Sequence, residues 1–188
     1  MRLSGSALLL AIAAAAAVAA PTGGAEAAIF NVNRTIGLGG VSGTLTTDGT
    51  IGALATQNIT DWNLVLSDGA ATLVLTPANS QHVIDGQAFS ATATQLVFDF
   101  AAPSGAALFQ APFIGAGTNY WCLEIAGCTG AGPQAESVYL NFTPPGVVAT
   151  YATAQVIGTV VATVAEPAAF AIFGLGLVGL GILRRKRA

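Results

Sequence analysis

Charge is what this sequence has least of. Lys, Arg, Asp and Glu make up 8% of its 188 residues. Residues 28–165 hold no lysine, a single arginine at Arg34 and a single histidine at His82. Seven carboxylates (Asp48, Asp61, Asp68, Asp85, Asp99, Glu124 and Glu136) stand against that one guanidinium, a net of −6 for the segment. Nucleic acid is therefore excluded as a partner, because neutralising phosphates takes a basic surface. An anionic polysaccharide would be repelled unless a divalent cation bridged it, whereas a neutral glycan would not.

The shortage of imidazole is as restrictive. Any Ser-His-Asp or Cys-His device would have to be built on His82, and Asn79-Ser80-Gln81-His82-Val83-Ile84-Asp85 contains no nucleophile elbow. Metal ligands are equally scarce, and no dense Asp-x-Asp-x-Asp-Gly loop occurs, although Asp-Gly turns could offer oxygens to calcium. No cofactor and no resident metal are expected. The two cysteines, Cys122 and Cys128, enclose five residues. A disulfide is the simplest reading in an oxidising compartment, worth about 2 kcal/mol for so small a loop.

What the chain does have is apolar ends. Arg2 precedes an Ala- and Leu-rich run over residues 7–20, and Ala25-Glu26-Ala27 offers small residues for cleavage. This is the layout of a secretory signal peptide over residues 1–27, with a mature start near Ala28. At the other end, Ala165-Glu166-Pro167 leads into an apolar stretch that opens at Ala168 and closes at Leu183. Arg184, Arg185, Lys186 and Arg187 follow. The basic block holds its end in the cytoplasm, so the chain before Ala168 lies outside. Sixteen residues make about 24 Å of helix against a hydrocarbon core of about 30 Å. Their nine large apolar side chains favour insertion by about 3 to 5 kcal/mol in total. Such a span inserts weakly; the alternative is an ordinary single-span anchor.

The three parts in this order resemble the PEP-CTERM sorting signal of Gram-negative bacteria, with Glu166 and Pro167 at the last two motif positions and Ala165 where the first proline is usual. The resemblance covers about 25 residues. It implies Sec-dependent export, transient or permanent residence in the inner membrane, and processing by an exosortase. It also implies a destination at the cell surface or outside, often in association with exopolysaccharide. A second stretch, Gly39 through Gly52 followed by Asn58-Ile59-Thr60-Asp61-Trp62-Asn63-Leu64, resembles a segment that recurs in small exported bacterial proteins bearing this tail.

Between the ends, apolar residues alternate with polar ones: Phe30, Val32 and Ile36; Trp62, Leu64 and Leu66; Leu96, Phe98 and Phe100; Val138, Leu140 and Phe142. Period-2 patterning with almost no helical signal predicts strands. Asp48-Gly49 is expected to join residues 41–47 to 50–54 as a hairpin, and Asp68-Gly69 to join 62–67 to 71–76. A long last strand is expected over 147–164, with a break near Gly158. The expectation is an all-β chain: an antiparallel sandwich, jelly-roll-like, or a barrel, over residues 28–164. A signal helix precedes it, and residues 165–188 form a single membrane-spanning tail.

Within that domain Tyr120 and Trp121, beside the cysteine loop, are the candidate ligand-binding pair, as aromatic faces that could stack on sugar rings. Asp61 and Asp99 are the carboxylates that could form a hydrolase pair. The reading taken is not an enzyme but an exported structural or adhesive protein, with a carbohydrate-binding module as the alternative. Strand edges in soluble β proteins are usually guarded by lysine. With none here, the edges are expected to be available for self-association.

Overall fold

The computed structural model describes residues 26–115, 117–126, 132–141 and 146–164, and both predicted membrane segments lie outside them. Among the described residues no helix is long and apolar enough to cross a membrane. The described chain is all-β, with one 3-10 turn at Thr56–Asn58.

Among the described residues thirteen strands form two antiparallel sheets. In chain order they are β1 (Ala27–Ile36), β2 (Gly39–Thr47), β3 (Gly52–Ala53), β4 (Ile59–Ser67), β5 (Thr72–Leu75), β6 (Gln81–Gly86) and β7 (Phe89–Ala91). There follow β8 (Gln95–Asp99), β9 (Gly105–Ala111), β10 (Asn119–Glu124), β11 (Ala135–Tyr139), β12 (Val147–Thr150) and β13 (Ala154–Val164). The larger sheet runs β3-β7-β8-β13-β1-β2-β4-β5 and the smaller β12-β11-β10-β9-β6. Their apolar faces meet over one core, so the predicted sandwich is the architecture found.

The alternation locates the inner face. Phe30, Val32 and Ile36 of β1 are buried, as are Trp62, Leu64 and Leu66 of β4 and Leu96 and Phe98 of β8, while Asn31 and Asn33 between them are exposed. Two aromatic rows fill the space. His82, Phe109 and Trp121 stack at successive centroid distances of 5.5 Å. Phe89, Phe98, Phe100 and Tyr151 follow one another at 6.3, 4.6 and 5.0 Å. Each fully buried side chain of this size contributes about 1.5–3 kcal/mol of transfer free energy.

Two sequence expectations about strand order are corrected. Asp48-Gly49 does not close a hairpin between β2 and the next strand. Although Gly49 has φ +87, the turn folds onto residue 58: the Asp48 N–H donates to Asn58 O, and Asn58 Nδ2 donates to Asp48 Oδ2 at 2.9 Å. Residues 48–58 become an excursion whose β3 pairs with β7 and whose Leu54 enters the core. The strand beside β2 is β4, with Thr47 opposite Ile59. Asp68-Gly69, by contrast, does close β4 onto β5.

The predicted last strand is two strands. The break falls at residues 151–153, where the chain leaves the smaller sheet for the larger. Near Gly158 there is instead a bulge that leaves Ile157 without a β8 partner. Alternation is insensitive to such a crossover, since β12 and β13 each carry it separately.

Candidate functional site

The most chemically loaded place in the molecule is inside it. Arg34 shares the inner face of β1 with Val32 and Ile36, and Glu136 shares the inner face of β11 with Val138, so the sandwich brings cation and anion together between the sheets. Arg34 Nη2 donates to Glu136 Oε2 at 2.7 Å, Nε donates to both carboxylate oxygens at 3.2 and 3.1 Å, and Nη1 donates to Val156 O at 2.8 Å. Trp121 Nε1 donates to Glu136 Oε1 at 3.1 Å. The Glu136 side chain is fully buried and that of Arg34 is 13% exposed. Tyr151 lies under the guanidinium, 5.4 Å from ring centroid to Cζ.

Burial pulls the Arg34 pKa down, but the hydrogen bonds and charge of Glu136 outweigh it and hold the group above its ordinary value. The Tyr151 hydroxyl is pushed up, first by burial and then by the Glu136 carboxylate. Glu136 thus has its oxygens committed to Arg34 and Trp121, and the Tyr151 hydroxyl also bonds to it. The arrangement is a fork-to-fork clamp between sheets. It also links the two aromatic rows, since Trp121 ends one and Tyr151 the other. Neither Arg34 nor Glu136 was singled out from the sequence. The available signal was parity: Arg34 falls in step with Phe30 and Val32, and Glu136 with Val138 and Leu140.

The residues that the sequence did single out are scattered. Trp121 is fully buried and Tyr120 nearly so, at 4% exposure, so neither presents a ring face to a sugar. They point to opposite faces of β10: Trp121 into the core, Tyr120 to the outer face, stacked on Tyr139 at 5.1 Å. Burial, then Tyr139 and Glu124, push the Tyr120 hydroxyl up to about 12. Cys122 is not a free thiol, and Cys128 lies outside the described residues. Ala165, Glu166, Pro167, the span from Ala168 to Leu183, and Arg184, Arg185, Lys186 and Arg187 lie outside them too.

Asp61 and Asp99 do not converge. Asp61 is level with Thr46, Ile29 and, across β1, Ala162, whereas Asp99 is level with Ala154. Eight positions along β13 amount to roughly 26 Å, before the four strand spacings of about 4.8 Å each are added. Glycosidic carboxylate pairs stand about 5–9.5 Å apart. Each carboxylate instead accepts from nearby backbone: Trp62 N–H for Asp61 and Ala101 N–H for Asp99. Asp48 and Asp68 spend oxygens on their own turns in the same way. Among the described residues no group of three His, Cys, Asp or Glu side chains could hold a metal ion.

His82 packs edge-on to Trp62 at 4.6 Å and its Nε2 contacts Thr56 O at 2.9 Å. Burial lowers its pKa, partly opposed by that carbonyl. It is a wall of the core, held between Trp62, Phe109 and the Thr56 carbonyl.

The two ends of the domain meet. Ala27 is paired with Val164 and Ala28 with Thr163, so the first and last described strands run antiparallel and finish side by side. A cavity of about 170 Å³ beside them, between Ala28, Phe30, Thr47 and Ile51, falls below the roughly 300 Å³ of ordinary ligand pockets. No family model matches the chain, and no curated protein or solved structure shows detectable similarity to it.

Proposed function

We propose that this chain is an exported protein of a Gram-negative bacterium, sorted through the PEP-CTERM-like tail that begins at Ala165, Glu166 and Pro167. Its proposed role is structural or adhesive, at the cell surface or in the extracellular matrix beside exopolysaccharide. It performs no catalysis. On this reading the exosortase and the Sec machinery are its processing partners, the inner membrane its first residence, and Cys122 and Cys128 its disulfide.

The observation that carries the reading is the pairing of Ala27 with Val164. Both expected processing boundaries, near Ala28 and near Glu166, then flank one end of the sandwich, and the domain can hang from the membrane by that end without distortion. The scattered acids, the walled-in His82 and the committed Glu136 argue for structure over chemistry. Sugar stacking by Tyr120 and Trp121 is set aside because both are buried.

Mass spectrometry of the native protein from cells and from medium tests this. The expected product starts near Ala28, ends near Glu166 and has a mass two hydrogens below that of the reduced chain. A product keeping residues 1–27 and the tail, with both thiols free, overturns the reading.

A further inference from the structure

Among the described residues the two sheets present four edge strands, and three of them are either very short or blocked at one point by a side chain. β3 is two residues long. On β5, the Asn79 side chain substitutes for a neighbouring peptide: its Nδ2 donates to Val74 O and its Oδ1 accepts from Thr76 N–H, both at 2.8 Å. On β6, the Thr56 hydroxyl takes both backbone groups of Ile84, accepting from N–H at 2.9 Å and donating to the carbonyl at 3.1 Å. These are the devices by which β proteins prevent edge-to-edge pairing.

β12 has no such guard. The Tyr151 N–H donates to Gln134 O, which fixes the phase of the β11–β12 ladder: Ala149 and Val147 bond to β11, and the N–H and C=O of Val148 and Thr150 point away from it. Among the described residues nothing bonds to those outward groups. The strand is Val147-Val148-Ala149-Thr150, with no charge, no proline and no glycine. The turn at Gly37 comes near, a Cβ there lying 3.9 Å from Val148 O, but Gly37 has no side chain to cover it.

We infer that β12 pairs antiparallel with β12 of a second copy of this chain, about a two-fold axis at Ala149. In that register Val148 faces Thr150 of the second copy and the reverse, and each such pair exchanges both of its backbone hydrogen bonds. Ala149 meets its own equivalent at the non-hydrogen-bonded position, where the strands approach to about 4.5 Å between Cα atoms and a small side chain fits. The two smaller sheets become one continuous sheet. Two copies of a domain with a net charge of −6 meet along a segment carrying no charge, so no like charges are brought into contact. The contact is isologous and uses up β12 of each copy, and with β3 only two residues long and β5 and β6 each blocked at one point by a side chain, assembly is inferred to stop at the dimer.

Sedimentation equilibrium of the full chain in density-matched detergent tests this. Wild type is expected as a concentration-dependent dimer, and Val148→Pro as a monomer. The Val148 N–H makes no bond to β11, so proline there removes the intermolecular donor while sparing the sheet. Should Val148→Pro lose its β-sheet circular dichroism, Thr150→Lys at an exposed position decides instead, by setting two ammonium groups against the shared edge. The Val148 and Thr150 amides should exchange slowly with deuterium in wild type and fast in Thr150→Lys. Wild type that is monomeric at every concentration, a dimer that survives in each folded variant, or an open-ended polymer each overturns the inference. The readout is stoichiometry, so its failure leaves the sorting and processing reading untouched.

Discussion

Arg34 and Glu136 stand 102 positions apart in the chain, yet their side chains meet at 2.7 Å between the sheets. Each is what makes the other tolerable. A buried charge without its partner is strongly destabilising, even where a complete pair contributes little net stability.

Removing one partner should therefore cost far more than removing both. Arg34→Met or Glu136→Leu alone is expected to lose about 3–5 kcal/mol, and the two combined to recover most of it. Chemical denaturation followed by tryptophan fluorescence measures this, since Trp62 and Trp121 are both buried. Additive losses across the double-mutant cycle would contradict the clamp.

Stability should fall as pH drops below that of an ordinary histidine. The folded pKa of His82 is lowered by burial. The unfolded chain therefore takes up the proton first, near pH 6.5. The stability lost grows from there down to the folded pKa and is constant below it; above about pH 6.5 there is no effect. Thermal midpoints of wild type and His82→Gln between pH 8 and pH 4 test the sign: the slope in this window should flatten in the variant.

A lower pH window belongs to Asp48. Slight burial works against its charge, but donors from Asn58 and Thr50 outweigh that and lower its pKa. The contribution is present above the unfolded aspartate pKa of about 3.9 and is lost as pH falls through the folded value. Asn58→Ala also removes the bond to the Ala55 N–H. It is expected to cost about 1–3 kcal/mol near neutral pH and to reduce the acid sensitivity below pH 4 in urea titrations.

Gly43 has φ +133, and a Cβ there would run into the backbone carbonyl of Asn63 on the neighbouring strand. Gly43→Ala should cost about 1–3 kcal/mol or more. Gly52→Ala, at φ +100 with open space around it, pays only the backbone strain and should cost less. Equal denaturation midpoints for the two variants would contradict the clash.

Uncapping the blocked point on β5 should change the mode of assembly. Asn79→Ala frees Val74 O and Thr76 N–H on β5, and is expected to lose about 1 kcal/mol and to add species larger than the dimer in sedimentation velocity. Unchanged sedimentation would show that the Asn79 amide does not guard this edge.

Much of this was legible in the residues, and the misses have specific causes. Absent lysine pointed to open edges, but Thr56 and Asn79 each block one of them at a point by side-chain hydrogen bonds that composition cannot register. Tyr120-Trp121 looked like a surface pair because adjacent aromatics carry no mark of inside or outside; in a strand, neighbours take opposite faces. Asp48-Gly49 has hairpin chemistry, yet Asn58, ten residues on, redirects the turn.

The sequence by itself determined that the described chain is all-β, which residues of each strand share a face, and that Arg34 falls in step with apolar neighbours. Those follow from the two-residue period of an extended chain and from the backbone preferences of turn residues, both local. Tertiary structure alone decided that β4 lies beside β2, that Glu136 answers Arg34, that Asp61 and Asp99 sit far apart, and that β12 is the unguarded edge. Strand partners are chosen by hydrogen bonds and packing between segments distant in the chain, and alternation, identical in every strand, says nothing about which will meet.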